Sequence, residues 1–203
     1  MANNVKKKGR EDIRKNIISA ATKLFAEQGY QNTTITDISK EVGLVESAIY
    51  EYFQGKEDLL FSIPYDSALE SIEELEEQLY GIEGAFNKLR KFYWWYLRMI
   101  EKNPHTAMVN FLILQTNPDF METEVYSQVK ILFSVLIKIF EEGRDSGEMR
   151  KDLDPYEARA IFWGTINNKV TRWLLKGRNY PLNQNLDHSF SLLKGAFRPC
   201  QQV

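Results

Sequence analysis

Two short helical patterns meet at a single glycine, Gly43, in the stretch from residue 33 to residue 56. Apolar residues before the glycine recur at helical spacing and predict one stripe on a short helix: Ile35, Ile38 and Val42. Apolar residues after it predict the inward face of a second helix: Leu44, Ala48, Ile49, Tyr52 and Phe53. We expect Thr33 or Thr34 to cap the first helix. This outline is typical of a helix-turn-helix, which places its second helix in the DNA major groove, but it also fits an ordinary corner between helices.

The bulk properties allow one or two globular domains and exclude several kinds of site. The 203 residues are 43% hydrophobic, which is enough to bury a core. The single cysteine, Cys200, excludes a disulfide framework, and the distant His105 and His188 predict no metal site. The chain has no secretory start, and its most apolar run, 131–140, is shorter than the roughly 18 residues of a membrane span. We therefore expect a cytoplasmic protein with no membrane partner.

The charge distribution is more informative than the formal net charge of −2. Basic residues crowd the start of the chain, against only Glu11 and Asp12: Lys6, Lys7, Lys8, Arg10, Arg14, Lys15 and Lys23. A basic, flexible arm ahead of a helix suits contact with DNA phosphates. Taken alone, the same residues also fit a solubilising terminus.

Helical periodicity continues through the rest of the chain, and no useful length of strand-like alternation interrupts it. Glycine and proline positions predict the helix ends, with Pro64 either kinking the fourth helix or delaying its start. The predicted helices span about 11–28, the two short helices around Gly43, 57–80, 85–102, 104–114, 122–146, 155–176 and 183–197. We therefore expect an all-α protein of about nine helices, with an N-terminal three-helix domain at 1–57 and a larger helical domain at 58–203.

The first sixty residues resemble the TetR family of bacterial transcriptional regulators. The matching positions are Ala21, Leu24, Phe25, Gly29 and Tyr30, then residues 33–38, 42–43, 49–53 and 56–59. The resemblance implies a DNA-binding repressor that forms a homodimer on a double-stranded operator and responds to a small hydrophobic effector. A Gly-rich phosphate loop, a nucleophile elbow and a Cys-His pair are absent from the sequence, so we expect no enzymatic activity.

The resemblance also implies which residues of the N-terminal domain contact DNA. Phosphate contacts are expected from Thr34, Thr36, Tyr50, Tyr52 and Lys56. Base edges are expected to be read by Val45, Glu46, Ser47 and Glu51. Without the resemblance, the same side chains fit a solvated helix face.

The chain departs from the family pattern at its predicted recognition helix. Val45 stands where the family usually has a capping serine, so the start of this helix is expected to be less firmly held. Glu46 and Glu51 place acid on the surface facing DNA, where a carboxylate accepts from cytosine N4 but repels phosphate. We therefore expect affinity to depend on the basic arm and to fall steeply with salt. An interaction module with weakened DNA binding is an alternative.

The larger domain is expected to bind the effector and to dimerise. Residues 162–166 and 170–175 resemble the branch that regulates fatty-acid degradation and responds to acyl-CoA, so the effector is expected to be an acyl-CoA and no cofactor is expected. The expected effector-binding residues are Trp94, Trp95, Arg98, Met99, Phe111, Leu114, Phe133, Ile137, Trp163 and Asn167. Plain core packing is an alternative for each aromatic residue, and a multidrug-type regulator of cationic aromatic compounds is a second reading of the pocket.

The last two long predicted helices are the family's usual dimerisation elements. Their apolar residues fit a four-helix interface: Ile161, Phe162, Ile166, Val170, Leu186, Phe190, Leu193 and Phe197. Some of these residues must instead form the core of one subunit, and spacing does not divide the two groups.

Overall fold

The computed structural model describes residues 2–199, with side chains throughout that range except at residues 2–8, 65–71, 73, 124, 125, 128, 129 and 132. Lys6, Lys7 and Lys8 of the expected basic arm therefore lie outside the described side chains, and Cys200 lies outside the described residues.

The described residues form α-helices and no β-strand, which confirms the all-α class. The ten α-helices within residues 2–199 are α1 (Ala2–Gln28), α2 (Ile35–Val42), α3 (Glu46–Tyr50), α4 (Lys56–Leu79), α5 (Ala85–Lys102), α6 (Pro104–Met108), α7 (Pro118–Met121), α8 (Glu124–Asp145), α9 (Pro155–Leu175) and α10 (Leu186–Phe197). The sequence predicted nine of them and missed the four-residue α7. No helix in the described part of the chain is long and apolar enough to cross a membrane.

The chain divides into two compact units. The first comprises residues 1–67 and 105–125, and the second comprises residues 68–104 and 126–203. The domain boundary expected at residue 57 stays a prediction, because this division groups residues by proximity and not by role.

The first unit is built around the buried face of α1. Ile17, Ala21 and Phe25 are fully buried on this face, and α2 packs against α1. α1 begins at Ala2, earlier than the predicted start near residue 11, because residues 2–10 contain no proline and lysine is a good helix former. Gly29, at φ 85°, ends the helix as predicted, since glycine adopts this left-handed conformation without steric cost.

The segment after α5 belongs to the first unit and differs from the single short helix that was predicted there. α6 continues into a π-helical turn, Val109–Ile113, and a 3₁₀ turn, Leu114–Thr116. Pro118 then begins α7, and the Asn117 carboxamide caps it by accepting from the amide of Asp119 at 2.9 Å. The sequence interpreted Asn117-Pro118 only as a helix stop, but proline is equally favoured at the first position of a new helix.

The second unit has a core of aromatic rings gathered around Phe162 of α9. The ring centroid of Phe162 lies 6.1 Å from that of Phe92, 5.7 Å from that of Tyr93 and 6.0 Å from that of Phe140. α9 starts as the sequence predicts, with Pro155 at its first turn and the Asp154 carboxylate accepting from the next amides. These rings contact one another from three different helices, so they hold α5, α8 and α9 together.

Candidate nucleic-acid interface and effector-binding core

The start of α2 is closed by a reciprocal pair of side chains. The Thr34 hydroxyl accepts from the amide of Asp37 at 3.1 Å, while the Asp37 carboxylate accepts from the amide of Thr34 at 2.9 Å. Thr34 also donates its hydroxyl proton to Asp37, and this hydrogen bond is the main cause that lowers the pKa of Asp37. Thr34 is therefore the capping residue, and the buried Thr33 instead donates to the carbonyl of Gly29.

The two threonine hydroxyls expected to contact DNA phosphates already donate hydrogen bonds to carboxylates of the protein. Thr34 donates to Asp37, and Thr36 donates to Glu46 Oε1 over 2.6 Å. Since a hydroxyl has one proton, neither can donate to a phosphate while these bonds persist. The Thr36–Glu46 bond also joins the beginning of α2 to the beginning of α3.

α3 presents an exposed face next to a buried one. Ile49 is fully buried, which anchors the helix to the first unit, and Gly43 at φ 70° makes the turn before it. The side chains expected to read bases are all exposed: Val45, Glu46, Ser47 and Glu51. Val45 is 68% exposed, and its side chain caps nothing, as the sequence predicts.

The two tyrosines of the recognition segment lie in different surroundings. Tyr50 is 55% exposed, whereas Tyr52 is half-buried beneath Arg10, whose guanidinium carbon lies 5.4 Å from the ring centroid. Arg10 also donates to the carbonyl of Glu51 at 3.3 Å. The first described basic residue of the arm therefore lies at the end of α3, beside the expected DNA-contacting face.

Lys56 is hydrogen-bonded to the turn after α1. Its ammonium donates to the carbonyls of Tyr30 at 2.9 Å and Thr33 at 3.0 Å, and it lies 4.3 Å from the Tyr30 ring centroid. An ammonium has three protons, so these bonds leave one for a phosphate. The sequence reasoning identified the cation and missed its internal partners.

The expected effector-binding residues fall in both compact units. Phe111 and Leu114 are buried in the first unit, and the remaining residues belong to the second. Within the second unit, five are half-buried: Met99, Phe133, Ile137, Trp163 and Asn167. Trp94 is 39% exposed and lies beneath the side chains of Lys91 and the expected Arg98, which is itself exposed.

A connected row of aromatic and cationic groups lies inside the second unit. The ring centroids of Tyr96 and Trp163 are 5.1 Å apart, those of Trp163 and Phe133 are 4.7 Å apart, and Arg159 lies 5.4 Å from Phe133. Trp95, 2% exposed, adjoins this row with its ring 6.2 Å from that of Tyr96. Burial raises the pKa of Tyr96, so its hydroxyl stays neutral.

Two buried donors in this region have no hydrogen-bond acceptor among the described residues. They are Nε1 of Trp95 and Nε of Arg159. Buried polar groups are nearly always paired in proteins, so these two donors are available to a ligand that carries acceptors. Sequence reasoning included Trp95 and missed Arg159. The signal was present, because Arg159 lies four residues before Trp163 and therefore on the same helix face.

The residues expected at the dimer interface divide sharply by burial. Ile161 is 54% exposed, and the other seven are buried: Phe162, Ile166, Val170, Leu186, Phe190, Leu193 and Phe197. The large apolar side chains exposed on α9 and α10 are Tyr156, Ile161, Leu175 and Leu192. Leu175 lies fourteen residues after Ile161, close to four helical turns, so both lie on one face of α9.

Two family descriptions match the chain over nearly its whole length. Residues 17–63 match "Bacterial regulatory proteins, tetR family", and residues 67–196 match "YsiA-like protein, C-terminal region". The chain is 31% identical over 166 residues to the fatty acid metabolism regulator protein of Bacillus subtilis (strain 168), which covers 82% of this chain and 86% of that protein.

Solved structures of two regulators share the fold. The fatty acid degradation regulator FadR from Bacillus halodurans aligns with a TM-score of 0.84 and 26% identity, covering 92% of this chain and 97% of its own. FadR from Bacillus subtilis, solved in complex with stearoyl-CoA, aligns with a TM-score of 0.83 and 30% identity, covering 90% of this chain and 98% of its own.

Proposed function

The chain belongs to the TetR family of bacterial DNA-binding regulators, and from this premise we propose that it is a repressor released from its operator by a fatty acyl-CoA. The family relationship supplies the DNA-binding and regulatory role. The similarity to a regulator that binds stearoyl-CoA supports the class of effector. An acyl-CoA combines a long apolar chain with a polar thioester and an anionic head, so it requires an apolar interior that also offers donors.

The observation that carries this proposal is that two unpaired donors adjoin the row formed by Tyr96, Trp163 and Phe133 in the second unit. Trp95 Nε1 and Arg159 Nε are buried without acceptors among the described residues, while Phe133, Trp163 and Tyr96 provide apolar surface. An acyl chain buries apolar surface against these rings, and an oxygen of the thioester or head group accepts a hydrogen bond from one of the two donors. A cationic ligand, in contrast, would leave both donors unpaired.

The DNA-binding role belongs to the exposed face of α3 and to the cations beside it. Base edges are read by side chains from Val45 to Glu51, and Tyr50 and Arg10 contact the backbone phosphates. Lys56 donates a hydrogen bond from its remaining N–H to a phosphate while holding the turn after α1. Two copies pair through the exposed apolar residues of α9 and α10, which gives the two-fold symmetry that half-sites one DNA turn apart require.

The effector releases the protein from its operator because it binds two conformations of the protein with unequal affinity. α4 connects the segment that contains α3 to the second unit along the chain. It begins at Lys56, shortly after α3, and extends past residue 67 into the second unit. Pro64 lies inside this helix and cannot donate the backbone hydrogen bond that its position otherwise makes. A helix interrupted in this way bends more readily, so effector binding shifts α4 and reorients α3.

Titration of the protein–operator complex tests this function. Oleoyl-CoA is added to the complex while DNA binding is followed by fluorescence anisotropy, with coenzyme A, oleate and a quaternary-ammonium aromatic dye as controls. We expect release by oleoyl-CoA alone. Retention of the complex at saturating acyl-CoA refutes the effector, and release by the dye alone supports the multidrug-type reading instead.

Variants at the two donors sharpen the same experiment. Trp95→Phe keeps an aromatic ring and Arg159→Met keeps a long unbranched side chain, and both remove the donor. We expect each to raise the acyl-CoA concentration needed for release by about 5- to 10-fold, the equivalent of one hydrogen bond. Operator affinity without effector serves as the control and should not change. Equal sensitivity of the variants and the unmodified protein to acyl-CoA would mean that these donors serve another purpose.

A further inference from the structure

The hydrogen bond between Thr36 and Glu46 prepares a carboxylate at the front of the recognition helix. Thr36 donates to Oε1 over 2.6 Å, and Oε2 has no partner among the described residues. Glu46 is exposed and is the first residue of α3. We propose that Glu46, oriented by Thr36, accepts a hydrogen bond from cytosine N4 and so selects a C·G base pair in each operator half-site. This inference rests on the proposed role of α3 in the major groove.

The chemistry of the base edges explains why the selected base is cytosine. An ionised carboxylate only accepts hydrogen bonds, and cytosine presents an amino donor in the major groove. Guanine presents two acceptors there and thymine presents one acceptor, so both repel Glu46. Adenine has an amino group, but its neighbouring N7 is an acceptor that faces the same carboxylate. Glu46 therefore acts by rejection as well as by attraction, which is a common origin of specificity.

The bond from Thr36 makes this contact more selective than a free glutamate would. A glutamate side chain loses considerable rotamer freedom when it is ordered, and Thr36 orders Glu46 before DNA arrives. The bond engages Oε1 of an exposed side chain and leaves Oε2 available to DNA. It also fixes the beginning of α3, where Val45 provides no cap. Glu51 differs, because its carboxylate has no hydrogen-bond partner within the described residues.

The experiment selects binding sites from random double-stranded DNA with the full-length protein and then measures affinities for single-base variants of the best site. We expect one symmetric pair of positions to require cytosine, with about 5- to 10-fold weaker binding of any other base, as for a single good base contact. Glu46→Gln should lose this requirement, because Thr36 donates to the one carboxamide oxygen and the amide group that replaces Oε2 donates instead of accepting from cytosine. Its overall affinity should rise, since a negative charge leaves the interface.

Three further variants separate orientation from charge. Thr36→Val removes the hydroxyl and should reduce the cytosine preference several-fold, whereas Thr36→Ser keeps the hydroxyl and should retain it. Glu51→Gln makes the same charge change at the residue that follows α3, without touching the Thr36 bond. This control should raise overall affinity and leave intact the cytosine preference at the position that Glu46 contacts. Circular dichroism of each variant confirms that α3 and its surroundings remain folded.

The outcomes distinguish this inference from the proposed function beneath it. If the unmodified protein selects no DNA sequence, the proposed function fails and the inference fails with it. If the protein selects a site but Glu46→Gln changes affinity equally for every base variant, Glu46 is only a charge near DNA and the inference alone is overturned. If Thr36→Val keeps the full cytosine preference, Thr36 does not orient Glu46 for the base contact.

Discussion

The uncapped start of α3 leads to a stability prediction for the substitution Val45→Ser. Val45 has the extended backbone of a capping residue, at φ −82° and ψ 152°, but its side chain offers no acceptor to the first amides of the helix. A serine hydroxyl at the same position accepts from the amide of Ser47, since the amide of Ala48 already donates to the carbonyl of residue 45. The substitution therefore supplies the missing cap without changing the path of the chain.

The magnitude follows from the cap and from the burial of Val45. A serine cap contributes about 1 kcal/mol relative to alanine at such a position. Val45 is 68% exposed, so only about a third of its surface is buried, and losing that burial to a small residue costs about 0.5 kcal/mol. Val45→Ala has the same loss without the cap. Val45→Ser is therefore expected to be about 1 kcal/mol more stable than Val45→Ala, and close to or slightly above the unmodified protein.

Two measurements check this value. Thermal unfolding followed by circular dichroism should place the midpoint of Val45→Ser about 2–4 °C above that of Val45→Ala for a chain of this size. Amide hydrogen exchange in α3 should slow about 5-fold in the serine variant relative to the alanine variant, the equivalent of 1 kcal/mol in local opening. Equal midpoints and equal exchange rates in the two variants would refute the reasoning, because they would mean that the helix start already has its amides satisfied.

Three further predictions concern the other contacts described above. Lys56→Met removes the ammonium that donates to two carbonyls and should lower the free energy of unfolding by about 1–3 kcal/mol in chemical denaturation. An unchanged free energy of unfolding would mean that Lys56 contributes only a phosphate contact. Asp37→Asn should reduce the loss of stability in acid. The pKa of Asp37 lies below its ordinary value of 3.8, so its contribution is present above about pH 4 and is lost as pH falls through the lowered value. Unfolding curves between about pH 6 and pH 2 check the sign, and equal acid sensitivity of both proteins would contradict it. Leu192→Asp should shift the protein from dimer to monomer in analytical ultracentrifugation, since a charge enters the exposed apolar face of α10. The matched control is Tyr80→Asp, which changes a side chain that is 90% exposed outside α9 and α10 and should leave the dimer intact.

Much of the fold follows from local chemistry, which acts over a few residues and is legible in the sequence. Gly43 and Gly29 adopt the left-handed conformation that ends α2 and α1, and Asp154 with Pro155 starts α9. Apolar spacing then assigns Ile38 and neighbouring residues to buried faces. The all-α class and nine of the helices described in residues 2–199 could therefore be predicted. The short α7 was missed because Asn117-Pro118 both ends one segment and begins the next.

The candidate sites were predictable in location but not in detail. The family resemblance placed Glu46 on the exposed face of α3, but only the fold places it against Thr36, ten residues earlier. The sequence marked Lys56 as a cation beside DNA, and the structure adds two carbonyls from a turn more than twenty residues away. Partners at such separations depend on how helices pack, and no local pattern contains that information.

The division between core and interface shows the same limit. Ile161 and Phe162 are adjacent in sequence and both apolar, so both were candidates for the interface and spacing could not assign either to the interface or to the core. In the structure Phe162 is fully buried among rings from α5 and α8, whereas Ile161 is 54% exposed. The sequence alone determined that α9 is helical and amphipathic, because those properties arise from propensity and periodicity. The tertiary structure decided which apolar side chains remain available to a second subunit, because burial depends on neighbours brought together from distant parts of the chain.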